Sequence, residues 1–304
     1  MIKGQREGMC AIKQGSFVSK GTLASVYKCR MDLPGNANVA VALKEFTVPA
    51  HRDDDAAMMR DDIISSMLGE YRDVLLNREA LPLHPHVAAY YGVEYNTGAS
   101  QSTLDRVLLT TDWVEANGKK LRGPLPELEV KSIAKGIVGA VAHLHKHDVS
   151  HDDLRPCNVF TTVAWSRPTI TDTTVPHVVV TDYRLTKHIL RLIDPESGGV
   201  TTKQRPQYCA PEVFTDGSNY DPMKCDVWGI GGTVLEFLSG KPPFVELDPS
   251  GKGSIMFKII QSRAPPKYPD GLSVECKAFL DSCFTREYSR RPAAATLLEH
   301  SWIR

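Results

Sequence analysis

His151-Asp152-Asp153-Leu154-Arg155-Pro156-Cys157-Asn158, followed 24 residues later by Thr181-Asp182-Tyr183-Arg184, is the most informative part of this chain. Polar and charged groups are concentrated there, and on either side the chain changes character. Upstream, residues 39–44 (VAVALK) put Val39, Val41 and Leu43 on one face and Ala40, Ala42 and Lys44 on the other, the period of a strand. An acidic run, Asp53 to Asp55, then opens an amphipathic helix whose apolar residues are Ile63, Ile64, Met67, Leu68, Tyr71, Val74 and Leu75. Negative charge at that end suits the helix dipole. Val107–Val114 (VLLTTDWV) reads as a buried strand leading into the polar connection EANGKKLRG, and the division into residues 1–114 and 115–304 is placed there. From Pro126 the character is helical, with Ile133, Ile137, Val138, Val141 and Leu144 forming one stripe. Val227–Leu238 is apolar nearly all round and stops at Ser239-Gly240, the pattern of a fully buried helix.

The bulk properties bound the answer. At 304 residues the chain is long enough for one large domain or two ordinary ones. With 42% apolar and 24% charged residues, disorder, collagen and coiled coil are excluded as the main architecture. Lysine plus arginine (36) balances aspartate plus glutamate (36), so net charge gives no reason to expect nucleic acid or an anionic membrane as a partner. The seven cysteines show no CxxC pair or zinc-ligand spacing, and free thiols are expected. The opening residues lack the apolar stretch of a signal peptide, and no later run approaches the ~18 apolar residues that span a bilayer. The expectation is a cytoplasmic protein, a nuclear one being compatible.

The two quoted segments resemble the catalytic loop (H-R-D-L-x-x-x-N) and metal-binding motif (D-F-G) of eukaryotic protein kinases. The resemblance extends over essentially the whole chain: Val41-Ala42-Leu43-Lys44, HPHVAAYYG from His84, Ala210-Pro211-Glu212, Asp226-Val227-Trp228-Gly229-Ile230-Gly231, Arg290-Arg291-Pro292 and the closing LLEHSWI. Any one tripeptide is weak, but this many in order is strong. The overall look is nearest the kinase-kinase-kinase and related Ste-like groups. The resemblance implies an α+β, bilobal protein-kinase fold: a small antiparallel-sheet N-lobe with one helix, a larger helical C-lobe, and ATP with Mg²⁺ between them. By the same resemblance Asp153 accepts the hydrogen bond of the incoming hydroxyl, while Asn158 and Asp182 are oxygen ligands for the metal. Arg155 stands where a lysine is usually aimed at the transferring phosphate. Lys44 contacts the phosphates, paired with a glutamate of the amphipathic helix, for which Glu70 is chosen with Asp73 and Glu79 left open. Adenine is implied to lie against Val26, Ala42 and Phe160, with Thr111 as gatekeeper, the backbone of Asp112 to Val114 beside it, and Gly21 in the covering loop. Glu212 and Arg291 are implied to form a buried structural ion pair.

Several positions depart from the family pattern. Aligned on Val26, the phosphate-covering loop keeps only Gly21, with Ser19 and Ala24 in place of the flanking glycines. That reshapes the nucleotide lid, since glycine lets backbone N–H groups approach phosphate closely. Asp152 replaces an arginine and reverses the charge there. Arg155 keeps the charge of a lysine but not its shape. Arg184 replaces a glycine, and its bulk is expected to crowd the magnesium site, so that Arg184→Gly raises activity. The segment Gln204-Arg205-Pro206-Gln207-Tyr208 lacks the usual threonine.

Phosphorylation at Thr201 or Thr202 is not expected to act through Asp152, which would repel it. Thr186 and Ser197 lie in the same segment, and Lys203 or Arg205 is the nearest alternative phosphate receptor. His143, His145, His147 and His151 alternate suggestively, but residues two apart on a helix point in different directions, so no metal is assigned to them. Lys119, Lys120 and Arg122 read as a solvated turn. The expected activity is ATP- and Mg²⁺-dependent transfer to protein serine or threonine hydroxyls, with a protein substrate and a regulatory protein as partners. The alternative is a pseudokinase: a nucleotide-binding or nucleotide-free scaffold or allosteric partner.

Overall fold

The VAVALK segment lies in the longest strand, β4 (Asn36–Val48), and the first part of the chain is built around it. The computed structural model describes residues 5–8, 12–21, 24–33, 36–48, 54–77, 79–96, 105–114, 124–162, 177–184, 189, 192, 205–216, 219–248 and 254–304. The chain divides into two units. One comprises Met1–Leu83, Ala88–Val114 and His188–Gly199, the other His84–Val87, Glu115–Lys187 and Val200–Arg304.

The first unit is a six-stranded sheet. Around β4 lie β1 (Gln5–Gly8), β2 (Ile12–Lys20), β3 (Ala24–Leu33), β5 (Tyr90–Asn96) and β6 (Asp105–Asp112), in the order β1-β5-β6-β4-β3-β2. Every neighbouring pair is antiparallel. Register sorts the side chains, because residues directly opposite on adjacent strands share a face. Cys29 opposes Val41 and Met31 opposes Val39. Cys29, Met31 and Val41 form a buried cluster against which Tyr27, Leu43 and Tyr91 pack. The opposite face carries Val26 across from Lys44, and Ala42 across from both Lys28 and Thr111.

Helix α1 (Asp54–Glu70) begins within the acidic run, and Ile64, Met67, Leu68, Tyr71 and Leu75 of its apolar stripe are buried. At Tyr71–Leu75 the helix widens into a π turn. A second turn follows in which Asn77 accepts from the N–H groups of Glu79 and Ala80. Thus Glu70 is the last α-helical residue before an irregular connection to His84.

The second unit is mainly helical. Its central pair is α2 (Glu127–Lys146) and the helix Pro222–Ser239. All five residues of the expected α2 stripe are no more than 1% exposed. The helix expected over 227–238 begins five residues earlier, because Asp221 caps it by accepting from the N–H groups of Met223 and Lys224. It ends at Gly240, whose φ of 70° is the left-handed conformation glycine adopts without penalty. Two short strands, β7 (Val159–Thr162) and β8 (His177–Val180), form a ribbon, and β8 packs on α2.

The closest approach there is at Gly136, where an added Cβ would lie 2.7 Å from the Cβ of Val178. Alanine at this position gains about 1 kcal/mol of helix propensity but forces β8 to shift. Gly136→Ala is therefore expected to be destabilising by about 1–2 kcal/mol in denaturant unfolding, and Val178→Ala in the same chain to recover part of the loss. No helix among the described residues is long and apolar enough to cross a membrane.

Candidate active site

The loop of residues 150–158 has no regular ladder of its own, so its backbone groups need partners elsewhere. Asp226, only 3% exposed in a largely apolar helix, provides them. Its carboxylate accepts from the backbone N–H of His151 (2.6 Å) and of Asp152 (2.9 Å), and lies 2.9 Å from His145 Nε2. The loop also presses onto that helix: a Cβ at Gly229 would meet the Leu154 carbonyl oxygen at 3.0 Å. Sequence reasoning marked Asp226 only as part of a motif and missed this role. The signal that could have found it is an acid next to Val227 and Trp228 in a helix that buries most of its residues, which requires hydrogen-bond partners.

On this base the chemistry-bearing groups are ordered. Arg155 Nε donates to Asp153 Oδ1 at 2.9 Å. Burial opposes the Arg155 charge, but Asp153 beside it holds the guanidinium above its ordinary pKa. Asn158 Nδ2 donates to the Asp153 carbonyl at 2.8 Å and to its Oδ2 at 3.3 Å. That fixes the amide, whose oxygen accepts from the Cys157 thiol at 3.4 Å. The turn carrying Asp182 is fastened on both sides: the Thr181 N–H donates to the Asn158 carbonyl and the Arg184 N–H to the His151 carbonyl, both at 2.9 Å.

Asp152, Asp182 and Arg184 have φ of 67°, 65° and 62°. Left-handed backbone costs a non-glycine residue on the order of 1–2 kcal/mol, so three such residues in two adjoining turns mark stored strain. The Arg184 guanidinium, expected from sequence to crowd a metal, donates instead to Ser150 Oγ (2.9 Å) and Asp152 Oδ2 (3.2 Å). No sequence pattern singles out Ser150.

Phe160 lies on β7, opposite Val179. Cys209 approaches the Asp153–Arg155 pair, and burial pushes its thiol up to about 12. The six described cysteines are all free, Cys10 lying outside the described residues. His143 stacks on His84 (4.5 Å) and meets His147 (4.8 Å), whereas His145 turns to Asp226. No three His, Cys, Asp or Glu side chains among the described residues are placed to hold a metal.

In the sheet unit, register places Val26, Ala42, Lys44 and Thr111 on one face. Gly21 turns β2 into β3, its N–H donating to the Ala24 carbonyl. Asp112 exchanges bonds with the chain entering β5: its N–H donates to the Ala89 carbonyl, while its carboxylate accepts from the Ala89 N–H (2.7 Å) and Tyr91 OH (2.5 Å). Val114 is half-buried just beyond. Of the alternatives to Glu70, Asp73 is an exposed carboxylate held below the usual range by its bond to Arg72, and Glu79 is exposed in the Asn77 turn. Thr22, Leu23, Lys119, Lys120, Arg122, Thr186, Ser197, Thr201, Thr202, Lys203 and Gln204 lie outside the described residues.

An antiparallel sheet with one helix, and a helical unit whose loops bring Asp153, Asn158 and the Asp182 turn together, define the α+β fold of a protein kinase domain. The protein kinase domain family matches residues 12–303, and the chain belongs to that family. Among similar proteins are the mitogen-activated protein kinase kinase kinase YODA of Arabidopsis thaliana, 28% identical over 298 residues, and kinase kinase kinase 3 of the same plant, 27% identical over 301. Cell division control protein 7 of Schizosaccharomyces pombe is 27% identical over 299 residues. These alignments cover 96%, 98% and 96% of this chain but 29%, 43% and 24% of the respective relatives, so the chain spans less than half of their length.

Proposed function

We propose that the chain is the catalytic domain of a protein kinase that transfers the terminal phosphoryl group of ATP, with Mg²⁺, to serine or threonine hydroxyls of a protein substrate. The observation that carries this reading is the double fastening of the Asp182 turn to the loop holding Asp153 and Asn158. Phosphoryl transfer asks for positioning and charge neutralisation more than covalent chemistry, and this loop pair is built for positioning.

The Asp182 carboxylate and Asn158 amide oxygen are hard donors that fit Mg²⁺, a cation that keeps several waters and takes substrate phosphate oxygens, so two protein ligands suffice. When bound, the metal would neutralise charge on the phosphates. Asp153 accepts the hydrogen bond of the substrate hydroxyl and orients it, while Arg155 holds Asp153 and adds positive charge. In the sheet unit Lys44, partnered by Glu70, serves the phosphates, with Gly21 in the turn that covers them. Val26, Ala42, Thr111 and the backbone of Asp112 to Val114 serve the adenine there. The relatives named as kinase kinase kinases support a protein substrate.

Purified chain, labelled ATP and a generic basic protein are expected to give incorporation that requires Mg²⁺ or Mn²⁺ and is abolished by a chelator. A folded chain that incorporates no label with either metal overturns the reading and leaves a kinase-fold module acting as a scaffold or allosteric partner.

A further inference from the structure

The two departures with the largest change of charge or bulk, Asp152 and Arg184, meet each other. Arg184 Nη1 lies 3.2 Å from Asp152 Oδ2, and Ser150 Oγ bridges them, accepting from Arg184 at 2.9 Å and donating to Asp152 Oδ1 at 2.8 Å. The Asp152 side chain is 9% exposed and that of Arg184 23%. Such a pair is screened less than a surface ion pair, and the shared hydroxyl fixes its geometry. We propose that Arg184 is a positioning residue: through Asp152 and Ser150 it clamps the turn carrying Asp182 onto the loop carrying Asp153, by an ion pair internal to the chain.

Three observations support the clamp. Both partners are held in the left-handed region, where glycine would be unstrained at position 184, so the side-chain contacts offset a backbone penalty. Asp152 is a fixed anchor, because Asp226 grips its N–H from the buried helix. The backbone bonds of Thr181 and Arg184 fasten the turn at two points, and the ion pair adds a third next to the metal aspartate. The charges are also matched, Arg155 serving Asp153 and Arg184 serving Asp152. The clamp's role in catalysis rests on the kinase reading; its existence as a link does not.

The test uses the full chain with Arg184→Gln, Asp152→Asn, the double variant, Arg184→Gly and the swap Asp152→Arg/Arg184→Asp. Hydrogen exchange is read without metal or nucleotide. Each single variant is expected to speed exchange at Tyr183 and Arg184 roughly tenfold, equivalent to about 1.4 kcal/mol. The double variant should do no more than either single, since both remove one link. In transfer assays the Mg²⁺ concentration for half-maximal rate should rise roughly tenfold, while kcat at saturating Mg²⁺ stays within about threefold. The swap should recover part of both losses. Unchanged exchange, additive effects, or faster transfer by Arg184→Gly would overturn the clamp. If the wild-type chain transfers no phosphate, the kinase reading fails, and exchange alone then decides for or against the clamp.

Discussion

Asparagine at position 153 is expected to lower the phosphoryl transfer rate by roughly two to four orders of magnitude while leaving the melting temperature within a few degrees of wild type. The substitution is nearly isosteric, but the carboxylate has two engaged oxygens: Oδ1 receives Arg155 Nε and Oδ2 lies 3.3 Å from Asn158 Nδ2. An amide turns one of those acceptors into a donor facing a donor, removes the charge that balances Arg155, and weakens the acceptor offered to a substrate hydroxyl. Nucleotide affinity, measured by thermal shift with Mg²⁺ present, should change little, because the loss falls on the reacting geometry. Equal incorporation by Asp153→Asn and wild-type protein would place the catalytic acceptor elsewhere. Loss of nucleotide binding together with rate would make Asp153 part of the binding site instead.

Methionine in place of Arg291 is expected to lower the melting temperature by on the order of 10 °C, the largest stability effect in the helical unit. The Arg291 side chain is fully buried and its Nη1 donates to Glu212 Oε1 at 2.7 Å, with Nη2 to Oε2 at 3.3 Å. Its other donors reach the carbonyls of Thr285 and Lys224, and its guanidinium lies 5.1 Å from the Trp228 ring centroid. Deleting the arginine strands a carboxylate that is 5% exposed, and an unpaired buried charge costs about 3–5 kcal/mol. The double variant Glu212→Gln/Arg291→Met removes that lone charge and should melt above Arg291→Met. Identical melting of the single and double variants would mean that packing around Trp228, not charge, accounts for the loss.

What the sequence made legible was local in origin. Alternation in VAVALK specified a strand, and the spacing from Ile64 to Leu75 specified the buried stripe of α1, because both patterns repeat within a few residues. The alternation did not specify a single core face, since Val41 is buried on one side of β4 and Ala42, Phe46 and Val48 on the other. Two short motifs sufficed to put Asp153, Asn158 and Asp182 in neighbouring turns. The features it left hidden depend on partners far along the chain. Gln5–Gly8 shows no strong period, and its pairing with β5 depends on an edge formed some ninety residues later. Arg184 looked obstructive because its position beside Asp182 was readable and its bond to Ser150, 34 residues away, was not. The π turn after Glu70 has no pattern distinct from that of an ordinary helix end.

The grip of Asp226 also has a bearing on how the domain comes into being. Its hydrogen-bond partners His145, His151 and Asp152 lie 74 to 81 residues away, so this part of the loop of residues 150–158 is held only once a long segment has closed on itself. The same helix is deeply buried in the helical unit, with Val227, Trp228, Ile230, Val234 and Phe237 fully buried. The anchoring of this loop and the packing around that helix therefore depend on the same segment of chain. A nascent chain that ends before residue 226 can contain every acidic group of the loop and still lack the side chain that anchors them.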